Sequence, residues 1–281
     1  MYLLYSIIIA SMCLSCASSA QETTDFGNAH TTIDLTKCTQ DTLSLDGMYI
    51  DANRISIDWE LKHSQVPFTN MQIGNSLFLL EENVFSIETG KKIRNLSPNK
   101  FNEALFSGEP ALDPSSAIID NEGRFLYASG SKVEGVIRCN YIEKIDFSTG
   151  EVVDSIPIAS RYKFDLGIDN NLIIAEDYSP LNALIKEYDL ILPESYLLYF
   201  APRHSKSWIW FICWSNKKKE FRHYLFDKNT QKVSWITDVV FDNKVHPVAG
   251  LLGFSNQYLG YLETEPNSNN LEVVFFKLNK K

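Results

Sequence analysis

The chain is poor in the patterns that announce catalysis. None of its five histidines, His30, His63, His204, His223 and His246, lies three to five residues from another, so paired metal-ligand spacing is missing. No Gly-x-Ser-x-Gly elbow, phosphate loop or dinucleotide fingerprint occurs. The segment Asp165 to Asn170 lacks the ligand alternation and closing glutamate of a calcium loop and reads as a turn. No catalytic residue, metal or cofactor is therefore expected. Basic charge is also short: Lys+Arg number 26 against 35 Asp+Glu, net −9, which argues against nucleic acid as a partner. The one basic run, Lys217-Lys218-Lys219, reads as a solvated hairpin turn. After Cys16 only Cys38, Cys139 and Cys213 remain, an odd number that makes neither a disulfide framework nor a zinc site. Helical periodicity is scarce.

What is present is β-structure. Apolar runs of strand length recur at Ser76 to Leu80, Arg124 to Ala128, Leu172 to Ala175, Tyr196 to Phe200, Trp208 to Trp214 and Tyr258 to Leu262. Trp208, Trp210, Ile212 and Trp214 alternate with Ile209, Phe211 and Cys213. Both faces of that strand are apolar, so it should lie between two neighbouring sheets; the other reading is an exposed tryptophan row that stacks sugars.

A repeat organises these strands. Ile145-Asp146-Phe147-Ser148-Thr149-Gly150-Glu151-Val152 returns as Phe226-Asp227-Lys228-Asn229-Thr230-Gln231-Lys232-Val233, and more weakly as Phe85-Ser86-Ile87-Glu88-Thr89-Gly90. Each copy reads as a hairpin turn in which a side-chain oxygen accepts from a following N–H and the glycine adopts positive φ. Gln231 in place of glycine predicts strain or a different turn. Thr149 lies about 60 residues after Thr89, and Thr230 about 80 after that, the second gap close to two blade lengths of about 40. Lys186 to Leu190 falls midway in that gap, and Val273 to Leu278 is a last copy without the turn. Five anchors predict an all-β β-propeller of five to six four-stranded antiparallel blades over residues 31–281. Ring closure is expected from N- and C-terminal strands, with Thr31 to Leu35 pairing beside the strand that ends at Leu278.

The N-terminus reads as a leader. Leu3 to Ser15 is apolar but too short for a permanent span of roughly 20 residues, and fits a signal peptide over residues 1–15. Ser15-Cys16 resembles the lipobox of bacterial lipoproteins, which makes Cys16 the expected diacylated residue and residues 16–30 a flexible tether. An ordinary secreted protein whose discarded leader contains Cys16 is the alternative. Lipidation implies a membrane partner and a cell-envelope location, as an outer-membrane lipoprotein.

The segments Phe221 to Val233, Leu271 to Leu278 and Ile118-Ile119-Asp120-Asn121-Glu122-Gly123-Arg124-Phe125-Leu126-Tyr127 resemble recurring segments of the six-bladed β-propeller lipoproteins of Bacteroidetes. The resemblance spans roughly the whole chain after residue 30. It implies an anchored propeller with about six blades, and short O-glycosylation signals at Asp41-Thr42-Leu43 and Asp154-Ser155-Ile156, with Thr42 and Ser155 as acceptors. Adjacent acids at strand ends, Glu81-Glu82 and Glu176-Asp177, are the candidate ligand-channel residues; solubilising surface charge is the plainer account of them. The functional expectation is a lipid-anchored binding or scaffold module for an envelope protein or glycan. The alternatives are an envelope glycan- or peptide-processing enzyme with carboxylates in the channel, and a ligand sensor. A fold alone does not choose among these.

Overall fold

The computed structural model describes residues 31–57, 71–97, 109–159, 162–167, 171–176, 188–199, 203–205, 207–264 and 271–278. The leader, Cys16 and the tether lie outside them. Among the described residues the structure is all-β, with two single turns of 3₁₀ helix and no α-helix.

Three strands come first in the chain: β1 (Thr31–Asp34), β2 (Thr39–Ser44) and β3 (Tyr49–Ile57). Sheet I follows from β4 (Gln72–Ile73), β5 (Leu77–Leu80), β6 (Asn83–Ser86) and β7 (Lys92–Asn95), paired in chain order. Sheet II contains β8 (Ala111–Leu112), β9 (Ile118–Ile119), β10 (Phe125–Glu134), β11 (Ile137–Asp146) and β12 (Val152–Ile158); β8 and β9 both pair with β10. Sheet III is the hairpin of β13 (Lys163–Leu166) and β14 (Leu172–Ala175). Sheet IV joins β15 (Tyr188–Ile191) to β1. Sheet V runs through β16 (Tyr196–Leu198), β17 (Arg203–His204), β18 (Trp208–Ser215), β19 (Glu220–Asp227), β20 (Lys232–Phe241) and β21 (Lys244–Pro247), with β2 on its edge. Sheet VI is β22 (Leu251–Phe254), β23 (Tyr258–Thr264), β24 (Leu271–Leu278) and then β3.

The sequence repeat is a repeat of hydrogen bonds. The N–H groups of Gly90, Gly150 and Gln231 donate to the carbonyls of Ser86, Asp146 and Asp227 at 2.9, 2.7 and 2.8 Å. Those of Thr89, Thr149 and Thr230 donate to the side-chain oxygens of the same three residues at 3.1, 3.2 and 3.3 Å. Ile87, Phe147 and Lys228 each donate a 2.9 Å bond to the residue just before the second long strand of their sheet: Ser76, Arg124 and Ser207. Leu278 does the same to Gln257 in sheet VI, so the turnless last copy keeps the bond that defines its place. Gln231 adopts φ 57°, alongside 67° for Gly90 and 79° for Gly150. The third turn is thus of the same type, held with a non-glycine residue in the left-handed region at some local cost.

Side chains of neighbouring sheets interlock in five clusters. One joins sheets I and II through Leu79, Val84, Leu126 and Ile145. A second joins II and III through Tyr127, Ile142 and Leu166. A third joins IV and V through Ile33, Leu35, Phe211 and Phe226. A fourth joins V and VI through Trp210, Leu225, Tyr261 and Phe276. The fifth joins VI back to I, with Ile55, Val273 and Phe275 packed on Ile73, Phe78 and Phe85. As its double apolar face predicts, β18 is sandwiched: Trp210 faces sheet VI while Ile209, Phe211 and Cys213 face sheet IV. The buried guanidinium of Arg203 ties the inner strands together, its Nη1 donating to Met71 O at 2.8 Å and Leu252 O at 2.7 Å.

One expected pairing is corrected. Thr31 to Leu35 does not lie beside Leu278. β1 runs parallel to β15, Thr31 opposite Tyr188, because Ile33 and Leu35 are fully buried against the sheet V aromatics. The strand beside β24 is β3, antiparallel, from Ile57 opposite Leu271 to Tyr49 opposite Leu278. A strand from near the start of the described chain does pair with the last one, but it is a different strand.

Candidate functional site

Sheets I and II do not close on each other completely. Between them lies a cavity of about 320 Å³. Its walls come from the end of β7, the segment entering β8, and the third strand of sheet II. Along β11 the residues Tyr141, Glu143 and Ile145 share one face, since side chains alternate at period 2. Tyr141 and Ile145 are buried in the cluster between the two sheets. Glu143 stands between them and is drawn onto the same apolar face. Burial alone pushes its carboxyl above the ordinary value of 4.5, because a desolvated carboxylate is disfavoured against its neutral form.

Across the cavity, β7 contributes Arg94 and Asn95. Arg94 Nη2 donates to Phe147 O at 2.5 Å. Burial holds its guanidinium below its usual value, with the Asp146 carboxylate opposing that shift. Gly150 makes this contact sterically feasible: a Cβ there would sit 2.8 Å from Arg94 Nε. Asn95 follows Arg94 on β7, so its side chain points to the opposite face of the sheet, where its Oδ1 is buried without a hydrogen-bond partner among the described residues. Such an orphan acceptor costs free energy of about 1–3 kcal/mol unless a donor meets it. The remaining lining is chiefly apolar, with Val84, Leu96, Leu112 and Phe147. Burial sets Glu143's shift, and the only charge in Arg94's is that of Asp146. The acid and the base are thus on facing sheets and are not paired to each other.

The acids singled out in the sequence are not gathered into one site. Glu81 and Glu82 form the exposed two-residue tip between β5 and β6, with Glu81 at φ 52°. Burial and the neighbouring Glu82 raise the Glu81 carboxyl. Leu96 N–H donates to Glu82 O at 2.7 Å, which sets this tip beside the Asn95 end of the cavity. Glu176 is exposed just after β14, in sheet III, and Asp177 lies outside the described residues. Thr42 and Ser155 are exposed on the edge strands β2 and β12. In both places the preceding aspartate accepts from their backbone N–H, at 2.7 and 2.8 Å. Lys217 to Lys219 form the exposed β18–β19 turn, as read from the sequence.

A second polar cluster ties β3, β21, β23 and β24 together. Arg54 bridges Glu263 and Glu272, the latter at 2.7 Å, and His246 Nδ1 lies 3.1 Å from Glu263. Among the described residues no group of three metal-ligating side chains converges, and no helix is long and apolar enough to cross a membrane. Sequence reasoning missed Arg94, Asn95 and Glu143. The available signal was Glu143 itself, an acid at an inward position between Tyr141 and Ile145. Comparison with models of known protein families and with curated proteins gives no match.

Proposed function

We propose that this chain is a β-propeller binding module, held at a bacterial envelope membrane through lipidated Cys16, that takes a small ligand between its first two sheets. The observation that carries the binding role is the cavity of about 320 Å³, where Glu143 and Arg94 stand on facing, chiefly apolar walls and are not paired with each other. Pockets of this size, apolar with a few placed polar groups, are the usual form of small-ligand sites. The five interlocking clusters support the propeller reading. Sheets III and IV count as one blade in it, which gives five blades in cyclic order, with sheet VI packed on sheet I. Such a frame fixes the cavity walls, because sheet I is packed between sheets VI and II, and sheet II between sheets I and III.

The anchored envelope placement rests on the leader and the Ser15-Cys16 pattern, and the family resemblance supports it. Acyl chains contribute about 0.8 kcal/mol per buried CH₂, enough to hold a soluble domain on a bilayer. A glycan or an envelope protein would then reach the module at the membrane surface.

Two measurements test this reading. Thermal unfolding of the purified chain against broad glycan and peptide panels should find a ligand that raises the midpoint in proportion to its concentration. That shift should vanish when Leu112→Trp fills the cavity. Binding that survives Leu112→Trp would place the site elsewhere. For the anchor, cells fed an alkyne-bearing fatty acid should label the wild-type protein and not Cys16→Ser; equal labelling would overturn Cys16 as the acylated residue.

A further inference from the structure

The cavity has a polarity as well as a volume. One wall carries Glu143, whose carboxyl has no hydrogen bond or ion pair among the described residues. The other carries Arg94. The two oxygens of that carboxyl call for a donor-rich group, and an ammonium offers three N–H donors. Arg94 uses Nη2 on Phe147 O, but a guanidinium has five N–H donors in a planar fork that suits a carboxylate. Opposite charges that are not paired with each other, with Leu96, Leu112 and Phe147 between them, match a molecule that is itself dipolar with an aliphatic flank. Size narrows the class further. A volume of about 320 Å³ is the share of roughly ten liquid waters, which fits a molecule of about that many heavy atoms.

We infer that the cavity binds a zwitterionic α-amino acid or dipeptide with an apolar side chain, its ammonium at Glu143 and its carboxylate at Arg94. The inference rests on the cavity being the binding site, and it names the class of ligand that the site selects. It also indicates what such a module would sense or capture at an envelope: small products of peptide hydrolysis rather than polymers.

The test is calorimetric titration of the full chain with L-leucine, L-leucyl-L-leucine, N-acetyl-L-leucine, L-leucinamide and glucose. Leucine or the dipeptide should bind saturably, and the stronger of the two identifies the free or the peptide-linked source. Capping either end should weaken binding about tenfold or more, the loss expected for a hydrogen bond to a charged group. Glu143→Gln, which removes an unpaired half-buried charge and should fold, ought to weaken leucine and leucinamide about tenfold while leaving N-acetyl-L-leucine unchanged. Equal binding of capped and uncapped forms, an indifferent Glu143→Gln, or no leucine or dipeptide binding at millimolar concentration would each overturn the ligand class. Glucose binding abolished by Leu112→Trp would overturn the class while upholding the cavity as the site. Leucine binding that persists in Leu112→Trp would overturn both.

Discussion

The contact between sheets V and VI and the contact between sheets I and II are built from similar strands but end differently. The first is filled. Trp210, Tyr261 and Phe276 are each no more than 3 % exposed there, and a pocket between the two sheets holds about 30 Å³, lined by apolar side chains. That is the share of a single water. The second leaves about 320 Å³ and places a carboxyl and a guanidinium around it. Where a β-sheet interface serves only stability, side chains interdigitate to near crystal density. The departure between sheets I and II is the feature on which the proposed binding role rests.

The two contacts also respond to protons with opposite sign. In the filled one, Trp210 Nε1 donates to His223 Nδ1 at 3.2 Å. Burial pulls the His223 imidazole down from 6.5 to about 4, so it stays neutral and able to accept. In the open one, burial pushes the Glu143 carboxyl up from 4.5.

The largest break in this comparison is removal of residues 271–281. It deletes β24, which pairs with both β23 and β3, and strips one side from the filled contact. The expected result is no cooperative unfolding transition by circular dichroism. Trp210→Ala comes next, at about 3–5 kcal/mol in urea titration, the cost of emptying a large buried aromatic site. Retained stability would mean that the tryptophan row is not core.

Titration sharpens the contrast. A histidine with a depressed folded pKa binds fewer protons folded than unfolded. Its contribution to stability is therefore fully present above 6.5 and is lost as pH falls toward about 4. His223→Asn should flatten the stability profile across that window. A carboxyl with a raised pKa acts the other way: it disfavours folding as pH rises through 4.5 and beyond. Glu143→Gln should raise the melting temperature at pH 7 and lose that advantage well below pH 4.5. Equal effects at both pH values would show that Glu143 is not desolvated.

The smallest effects lie in the repeated turns. Gly150→Ala forces an L-residue into positive φ at about 1–2 kcal/mol and also meets Arg94. Gln231→Gly, at φ 57°, should stabilise by up to about 1 kcal/mol. Differential scanning calorimetry separates the two signs.

Much of this architecture was legible in the sequence. Leu172–Ala175 and the Trp208 run are strands where apolar periodicity placed them, and the turns at Thr89, Thr149 and Thr230 recur at one structural position in three sheets. Those are local signals: alternation of side chains and turn chemistry act over a few residues. The pairing of β1 was not legible. Ile33 and Leu35 fit many sheet edges, and only the tertiary context of Tyr224 and Phe226 selects one. The candidate site was hidden for a related reason. Arg94 and Glu143 lie nearly fifty residues apart on different sheets, and each by itself looks like an ordinary strand charge. The acids at strand ends drew attention because they are adjacent in sequence, yet adjacency placed Glu81 and Glu82 on a solvated hairpin tip.

The most direct test of the contrast is amide hydrogen exchange on the intact domain, with and without saturating L-leucyl-L-leucine. The account predicts slower exchange in β7, β11 and the segment entering β8, with β18, β19 and β24 unchanged. Protection centred on β18–β24, or none anywhere, would contradict the assignment of the open contact as the functional one.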